Sequence, residues 1–480
     1  MYRWEYGIEV SETKAVLDSR VQWLYNPKLD SMAKKYDVII VGGGPAGLFA
    51  ALELSRTSNL DILLIEKGKD IEQRSNLVSG LGGAGAFSDG KLTLSSQTGG
   101  RLKDYLGESE TEALIRYVDD IYRSFGAPDE VYGLGDEVDR IGRQASLAGL
   151  RLIVEPVRHL GTERCRWVLK AIRDQLSSRV EIKLEVAASR VIFDNVQVSG
   201  LETQIGDKYG CRYLILAPGR EGVDWLSAQA RQLNLTMYNN PVDVGVRVEV
   251  PAQVMEDLTD VLYEAKLEYL SKTFNDRIRT FCMCPAGEVI METTGGEDPV
   301  ITVNGQSYAN RKTNNTNFAL LMSTDFTEPF HEPIAYAKYL ARLANILSGG
   351  VLVQRLGDLL AGHRSTVDRI KRGLVRPTLL SAVPGDLSFV VPYRHLTGII
   401  EMLQTMEKLA PGVASPDTLL YGVEIKLYSY RPELSRSLET QLRNLFTIGD
   451  GAGISRGLIQ SSASGVVAAR EILKRSGYES

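Results

Sequence analysis

The chain has 480 residues, of which 44% are hydrophobic and 24% are charged, an ordinary composition for a globular protein of more than one domain. Its 55 Lys and Arg against 60 Asp and Glu give a formal net charge of −5, so nucleic acid is not an expected partner. No run approaches the ~18 apolar residues of a membrane span. The N-terminus does not resemble a secretory signal, and the four cysteines do not suggest a disulfide framework, so we expect a cytoplasmic protein.

Residues 36–47 predict a buried strand that runs into a glycine loop and then a helix. Gly42, Gly44 and Gly47 fit the G-x-G-x-x-G pattern, in which glycines allow a tight turn, the approach of a pyrophosphate and close helix packing. A second strand, residues 61–65, ends at Glu66, which we expect to accept hydrogen bonds from a ribose. The alternative is an ordinary β-α-β unit with a charged strand end.

A second glycine-rich stretch covers residues 74–94, where five glycines indicate backbone pressed close to another group. Ser88, Asp89 and Lys91 are its polar members, and Lys91 could neutralise a developing anion. The alternative is a surface loop with solvated charges.

Further elements follow in chain order. Residues 95–150 predict a helical, charged insertion, in which residues 138–143 have no assigned structure. Residues 168–176 predict a helix, and residues 181–186 and 190–193 predict strands. A strand at 242–250, with Arg247 and Glu249 on one face, opens a region with expected strands at 278–283, 289–292 and 319–323 and expected helices at 335–347 and 399–409.

Two more buried strands end in small residues, at 212–219 and 445–453. Together with the first glycine loop, they resemble FAD enzymes of the glutathione-reductase-like fold. That resemblance implies a contact of Asp450 with the ribityl chain and of residues 456–458 with the flavin edge, where the positive end of a helix favours the anionic reduced ring. It also implies that the backbone near Val186 meets the adenine. Pro218 departs from the usual Thr of the turn that it occupies.

The expected fold class is therefore α/β: a glutathione-reductase-like Rossmann FAD-binding domain with an inserted α+β substrate domain. The expected divisions are an N-terminal extension (1–35, with Met32 as an alternative start), the first part of the FAD domain (36–240, including the insertion 95–150), the substrate domain (241–430) and the C-terminal part of the FAD domain (431–480). We expect FAD to be bound by Gly42, Gly44, Pro45, Ala46, Gly47, Glu66, Lys67, Arg74, Gly82, Gly83, Ser88, Val186, Ala217, Gly219, Gly449, Asp450, Gly457 and Leu458.

Several short motifs resemble, in the same order, a largely uncharacterised family of bacterial FAD-dependent dehydrogenases. They begin at Ser88, Phe281, Val303, Asn317, Gly422 and Gly449. The likeness implies hydride transfer between non-covalent FAD and a small-molecule substrate, with Lys91 and Arg456 as the expected catalytic residues; the arginines and Lys91 hint at an anionic substrate. A fumarate-reductase-like resemblance places Ser88–Lys91 at the reactive face of the ring.

Alternatives remain. They are a flavin-dependent monooxygenase, a non-catalytic flavin-binding regulatory protein and a tRNA-modifying flavoprotein. We find no second glycine loop for NAD(P)H behind a predicted strand. The sequence also has no C-x-x-C or C-x₄-C pair near the first helix, so thiol–disulfide chemistry is not expected. The substrate, the electron donor or acceptor and the oligomeric state stay open.

Isolated residues give weaker signals. Cys282 and Cys284 could bind metal or exchange disulfides, but a structural role is favoured, because free cysteines are usually buried and nothing completes a zinc site. His395 could act as an acid or base. Arg364 and Arg394 could bind a substrate carboxylate or form ion pairs. We expect no metal site.

Overall fold

The computed structural model describes residues 34–74, 79–194, 196–294, 298–308, 311–324, 332–427 and 430–478. The expected N-terminal extension up to residue 33, with its alternative start at Met32, lies outside these residues. Among the helices within them, none combines the length and the apolar character needed to cross a bilayer.

Within the described residues the strands are β1 Lys34–Val41, β2 Ile62–Ile65, β3 Lys91–Thr93, β4 Arg151–Ile153, β5 Val157–His159, β6 Glu181–Lys183, β7 Ala188–Phe193, β8 Val198–Thr203, β9 Lys208–Leu216, β10 Met237–Tyr238, β11 Val242–Pro251, β12 Lys266–Leu270, β13 Arg277–Cys284, β14 Glu288–Thr294, β15 Val300–Gln306, β16 Asn315–Thr324, β17 Leu352–Arg355, β18 Val383–Pro384, β19 Leu419–Lys426, β20 Arg431–Pro432 and β21 Leu445–Thr447.

The helices of the same residues are α1 Pro45–Thr57, α2 Leu102–Leu106, α3 Glu108–Ser124, α4 Asp136–Ala148, α5 Thr162–Leu176, α6 Val223–Gln232, α7 Ala252–Leu262, α8 Pro333–Ser348, α9 Leu356–Leu360, α10 Val367–Arg372, α11 Tyr393–Met406 and α12 Leu458–Arg475.

The first sheet has the order β6-β2-β1-β9-β8-β7, with β21 also paired to β9. Strands β6, β2, β1, β9 and β21 are parallel along their shared edges, whereas β8 and β7 continue the sheet antiparallel. Residues Val38–Ile40 are fully buried, as a parallel strand covered on both faces requires. The carboxyl ends of β1, β2, β9 and β21 therefore meet at one edge, where ligands bind in open parallel sheets.

The second sheet has the order β18-β17-β19-β11-β16-β13-β12-β4 and is mostly antiparallel. Its long central strand β11 confirms the strand expected at 242–250, and β13, β14, β16, α8 and α11 correspond to the elements expected after it. The hairpin β14–β15 lies against β11, β16 and β19. Because of this cover, Arg247 and Glu249 are buried rather than exposed on an open face.

The expected helical insertion 95–150 needs a correction, because its parts pack on different cores. Leu114 and Val118 of α3 belong to the core of the first sheet. Ile141 and Ala145 of α4 belong to the core of the second sheet, and β4 extends that sheet by pairing with β12. The residues 138–143, left without an assigned structure in the sequence, thus form part of α4.

Smaller differences concern strand lengths. The strand expected at 181–186 is limited to β6, Glu181–Lys183, which pairs with β2 at the edge of the first sheet. Beyond β6, the Glu66 amide donates to the Lys183 carbonyl and the Val186 amide donates to the Glu66 carbonyl. These contacts hold Val186 beside Glu66, at the edge where the parallel strands end.

Candidate active site

A deep cleft lies at the carboxyl ends of the parallel strands of the first sheet. It encloses about 1450 Å³ of space, part of it open to solvent. Its walls come from the ends of β1, β2 and β9, the segment after β21 and the first turns of α1 and α12. The lining residues predicted from the sequence are Gly42, Gly44, Pro45, Ala46, Glu66, Lys67, Gly83, Ser88, Val186, Ala217, Gly219, Gly449, Asp450, Arg456, Gly457 and Leu458.

The first glycine loop leaves space where a phosphate group would need it. Gly42 has φ +105°, and a Cβ there would lie 2.1 Å from the Ala217 carbonyl oxygen, so this turn excludes any side chain. Gly44 is the N-cap of α1 and has no side-chain cap, and a Cβ there would meet only the Gly83 Cα, at 3.8 Å. The uncapped amides at the start of α1 can therefore face an anionic group in the cleft.

Glu66 and Arg74 fix the shape of this region through backbone contacts. One Glu66 oxygen accepts from the Gly43 amide at 2.8 Å, and the other accepts from the amides of Gly68 and Gly80 at 2.9 and 3.1 Å. Nη1 of Arg74 donates to the carbonyls of Leu81 and Gly83, each at 2.8 Å. Burial lowers the pKa of Arg74 to about 10.

Three of the expected FAD-binding residues are not among those that line the cleft. Gly47 lies behind the loop, where a Cβ would be 2.0 Å from the Gly42 carbonyl oxygen, so its role is helix packing. Arg74 and Gly82 lie in the supporting layer, and the Gly82 amide donates to Gly43. Direct contact of these three residues with FAD stays a prediction, and in the structure they support the glycine loops.

Asp450 and the start of α12 form the other end of the cleft. Oδ1 of Asp450 accepts from the Ser455 hydroxyl at 2.7 Å, and burial raises the pKa of Asp450. The N-cap of α12 is Gly457, which makes no side-chain cap. Arg456 also lines the cleft, and its backbone amide donates to Gly99.

Lys91, an expected catalytic residue, is not among the lining residues. Its Nζ lies 3.1 Å from a carboxylate oxygen of Asp89 and 3.1 Å from one of Glu264, and it donates to the Met283 carbonyl at 2.6 Å. Burial alone would lower the pKa of Lys91, but the two carboxylates outweigh burial and raise it. The expected catalytic role of Lys91 stays a prediction, and the structure adds that its charge is paired with two carboxylates.

The two cysteines of β13 lie beside Lys91. A register shift between Phe281 and Cys284 marks a β-bulge, and Cys282 has φ +44°. Nη2 of Arg247 donates to the Cys282 carbonyl at 2.6 Å and lies 3.2 Å from the Cys284 sulfur. The sequence did not indicate that the two cysteines lie beside Lys91 and Arg247, nor that Glu264 pairs with Lys91. These contacts join segments that are distant along the chain.

Two aromatic groups complete the surroundings of Lys91. The rings of His159 and Tyr263 stack with centroids 4.2 Å apart, and the Tyr263 hydroxyl lies 2.8 Å from Nε2 of His159. Burial lowers the pKa of His159 to about 4, so this imidazole is neutral at physiological pH.

The remaining candidates lie away from the cleft lining. His395 is buried against the Thr324 hydroxyl at 3.0 Å, and burial lowers its pKa to about 4. Arg394 forms an ion pair with Asp276, and Arg364 is exposed. None of the three is placed to bind a ligand in the cleft.

Two family models match the chain. Residues 36–230 match the family described as pyridine nucleotide-disulphide oxidoreductase, and residues 241–427 match the family described as FAD-dependent protein, C-terminal domain-like. With the Rossmann-type sheet and the cleft at its strand ends, these matches define the class: the chain is an FAD-dependent oxidoreductase, and FAD is its cofactor.

Among individual proteins, the chain is 27% identical over 474 residues to an uncharacterized protein of Clostridium beijerinckii, covering 91% of this chain and 80% of the relative. The solved structures to which the chain is similar have lower identity. Glycine oxidase from Geobacillus kaustophilus is 13% identical, with a TM-score of 0.40 and coverage of 92% of this chain and 95% of that chain. A 3-ketosteroid-delta4-(5alpha)-dehydrogenase from Rhodococcus jostii RHA1 is also 13% identical, with a TM-score of 0.44 and coverage of 93% and 98%. GidA of Aquifex aeolicus is 14% identical, with a TM-score of 0.39; the match covers 93% of this chain but only 64% of that chain. These scores are too low for any of the three structures to indicate a substrate.

Proposed function

We propose that this oxidoreductase transfers a hydride between non-covalent FAD and a small-molecule substrate bound next to the loop that contains Ser88. The observation that carries the proposal is the single cleft that joins the glycine loop, Glu66, Asp450 and the start of α12. When bound, FAD supplies a ring that accepts or donates two electrons together with a proton.

The residues present fit such a cofactor. The uncapped start of α1 suits its pyrophosphate, and Glu66 suits a ribose, because its carboxylate is already oriented by three backbone amides. Asp450 suits the ribityl chain. The uncapped start of α12 at Gly457 suits the electron-rich edge of the ring, since the helix dipole is positive there.

We further propose an anionic substrate and a cytoplasmic setting. Arg456 supports an anionic ligand, as a cation that lines the cleft at its α12 end. The four cysteines are all free thiols, which suits a reducing compartment. The formal charge of −5 gives no support for a nucleic acid partner.

Acid precipitation of the purified protein tests the mode of cofactor binding. One equivalent of FAD should appear in the supernatant. A Gly44→Val variant should fold without FAD, because its side chain would fill open cleft space, whereas Gly142→Ala, on α4, should retain the cofactor. Full FAD content in Gly44→Val would contradict the assignment of the glycine loop.

Anaerobic stopped-flow reduction by NADH, NADPH and a panel of small acids tests the chemistry. We expect rapid bleaching of the flavin band with at least one reductant and reoxidation by a second compound. Turnover that requires oxygen and yields a hydroxylated product would instead favour a monooxygenase.

A further inference from the structure

The side chains around the bulge of β13 form a buried reactive group that the proposed hydride transfer does not use. We call Cys282, Cys284, Lys91, Arg247 and Asp89 the thiol cluster. The two sulfur atoms and a carboxylate oxygen of Asp89 all lie within 4.8 Å of one another. Cys282 is half-buried, whereas Cys284 is fully buried.

The backbone presents these cysteines in a specific way. In a regular strand, residues two apart share a face. The bulge between Phe281 and Cys284 breaks this regularity, and bulges commonly redirect a side chain at functional sites. The positive φ of Cys282 is rare for a residue with a side chain, and the surrounding contacts to its carbonyl hold it.

The charges around the cluster favour one ionised sulfur. A hydrogen bond from Cys284 outweighs burial and lowers the pKa of Cys282 to about 6, with further help from Lys91 and Arg247. The other two cysteines provide a contrast within the same protein. Burial raises the pKa of the Cys165 thiol to about 12 and also raises that of Cys211 well above its usual range.

A metal ion is the competing occupant, because Asp89 and the two cysteines could supply three ligands. However, Nζ of Lys91 already lies 3.1 Å from the Asp89 carboxylate, and Nη2 of Arg247 lies 3.2 Å from the Cys284 sulfur. Two fixed cations at the ligand atoms repel a third. They stabilise a thiolate instead.

We propose that Cys282 and Cys284 form a thiol–disulfide exchange site that reacts with a small-molecule disulfide. The half-buried Cys282 thiolate attacks one sulfur of the disulfide, forming a mixed disulfide and releasing one thiolate. The Cys284 thiol then gives its proton to the released thiolate and attacks the Cys282 sulfur, forming the Cys282–Cys284 disulfide and releasing the second thiolate, which takes a proton from water. The protein gives up two electrons, and the small disulfide is reduced to two thiols.

This inference does not depend on the proposed hydride transfer. Its test uses the full-length protein as purified, with its FAD, and reads the state of the cysteines by peptide mass spectrometry. The protein is mixed with excess 2-hydroxyethyl disulfide and then alkylated. We expect loss of two hydrogens from the peptide that carries Cys282 and Cys284, while Cys211 remains reduced.

Single variants separate the two steps. Cys284→Ser should accumulate the mixed disulfide on Cys282, because the second attack is lost. Cys282→Ser should form neither product, and Cys211→Ser should behave as the unchanged protein does. In the unchanged protein, Cys282 should react with iodoacetamide at least roughly tenfold faster than Cys211 at neutral pH, since its thiolate fraction is larger even after allowance for lower nucleophilicity.

Three results would overturn the proposal. One is alkylation of Cys282 no faster than that of Cys211. Another is rapid alkylation of Cys282 without formation of the disulfide. The third is stoichiometric binding of zinc that protects both cysteines from iodoacetamide, which would identify the cluster as a metal site.

Discussion

The guanidinium of Arg247 occupies the space that the missing side chain of Gly305 leaves open. A Cβ at Gly305 would lie 1.8 Å from Nη2 of Arg247 and 2.2 Å from Oδ1 of Asn317. Arg247 and Glu424 are both fully buried and form an ion pair at 3.4 Å, and Nε of Arg247 donates to Asn317 at 2.8 Å. Gly305 of the hairpin β14–β15 is therefore required, because any side chain there would collide with the buried guanidinium of Arg247 on β11.

Gly305→Ala should therefore displace Arg247 from Asn317 and Glu424, while Lys426 stays beside Glu424 as its second cation. We expect a loss of about 1–3 kcal/mol in the free energy of unfolding, the cost of leaving buried polar groups without a partner. Urea denaturation measures the effect. Gly142→Ala is the control, because a Cβ there makes only an ordinary contact at 3.8 Å, and the substitution should be neutral or stabilising. Equal stability of the two variants would show that Arg247 relaxes freely.

Lys91→Met should destabilise the fold rather than alter only the cofactor. The lysine side chain is 10% exposed, and its removal leaves Asp89 and Glu264 buried without their cation. We expect a loss of about 3–5 kcal/mol. The double variant Lys91→Met/Glu264→Gln should recover part of that loss, because one buried charge disappears. A single variant with the melting temperature of the unchanged protein would contradict the structural role of this lysine.

Glu66→Gln and Asp450→Asn should each weaken FAD binding. A hydrogen bond to a charged group contributes roughly 1.5–3 kcal/mol, and each ~1.4 kcal/mol corresponds to a tenfold change in the dissociation constant. Titration of the apoprotein by FAD fluorescence measures this. Glu221→Gln is the matched control, since Glu221 also lines the cleft but pairs with Lys67 near the surface. A similar affinity in all three variants would remove Glu66 and Asp450 from the binding set.

Stability should fall as the pH is lowered from about 6.5 towards 4. Burial lowers the pKa of His395 from 6.5 to about 4 in the folded state, so the unfolded chain binds more protons between these values. The resulting loss in the free energy of unfolding reaches about 3 kcal/mol near pH 4. His395→Gln should flatten the dependence of the melting temperature on pH, whereas substitution of the exposed His363 should not. Some dependence of the melting temperature on pH should remain in both variants, because burial also lowers the pKa of His159 to about 4.

Local patterns predicted the parts of the cleft that depend on short stretches of sequence. The apolar run before Gly42 specified a buried strand, and the segments around Ala217 and Gly449 specified the other strand ends that meet it. The glycines of the first loop could be assigned to the cleft because their pattern indicates a backbone that another group approaches closely. Each of these signals is contained in a stretch of about ten residues, which is the range over which sequence periodicity is informative.

Such local patterns could not predict contacts between segments that are distant along the chain. The alternation of β11 placed Arg247 and Glu249 on one face, but it did not indicate that the hairpin β14–β15 covers this face and buries Arg247. The sequence did not predict the ion pair of Lys91 with Glu264, because the two residues are distant along the chain. Helix α4 was missed because Gly142 and its charges obscure an apolar stripe that packs on a sheet formed mainly by later residues.

The pairing of β21 with β9 also bears on synthesis at the ribosome. Strand β21 comprises residues 445–447, and α12, which packs on α1, follows it. The first sheet therefore stays incomplete until most of the chain has been translated, whereas every strand of the second sheet lies between residues 151 and 426. The inserted unit can close first, and it then holds the two separated parts of the cofactor-binding unit near each other while the last strand is added.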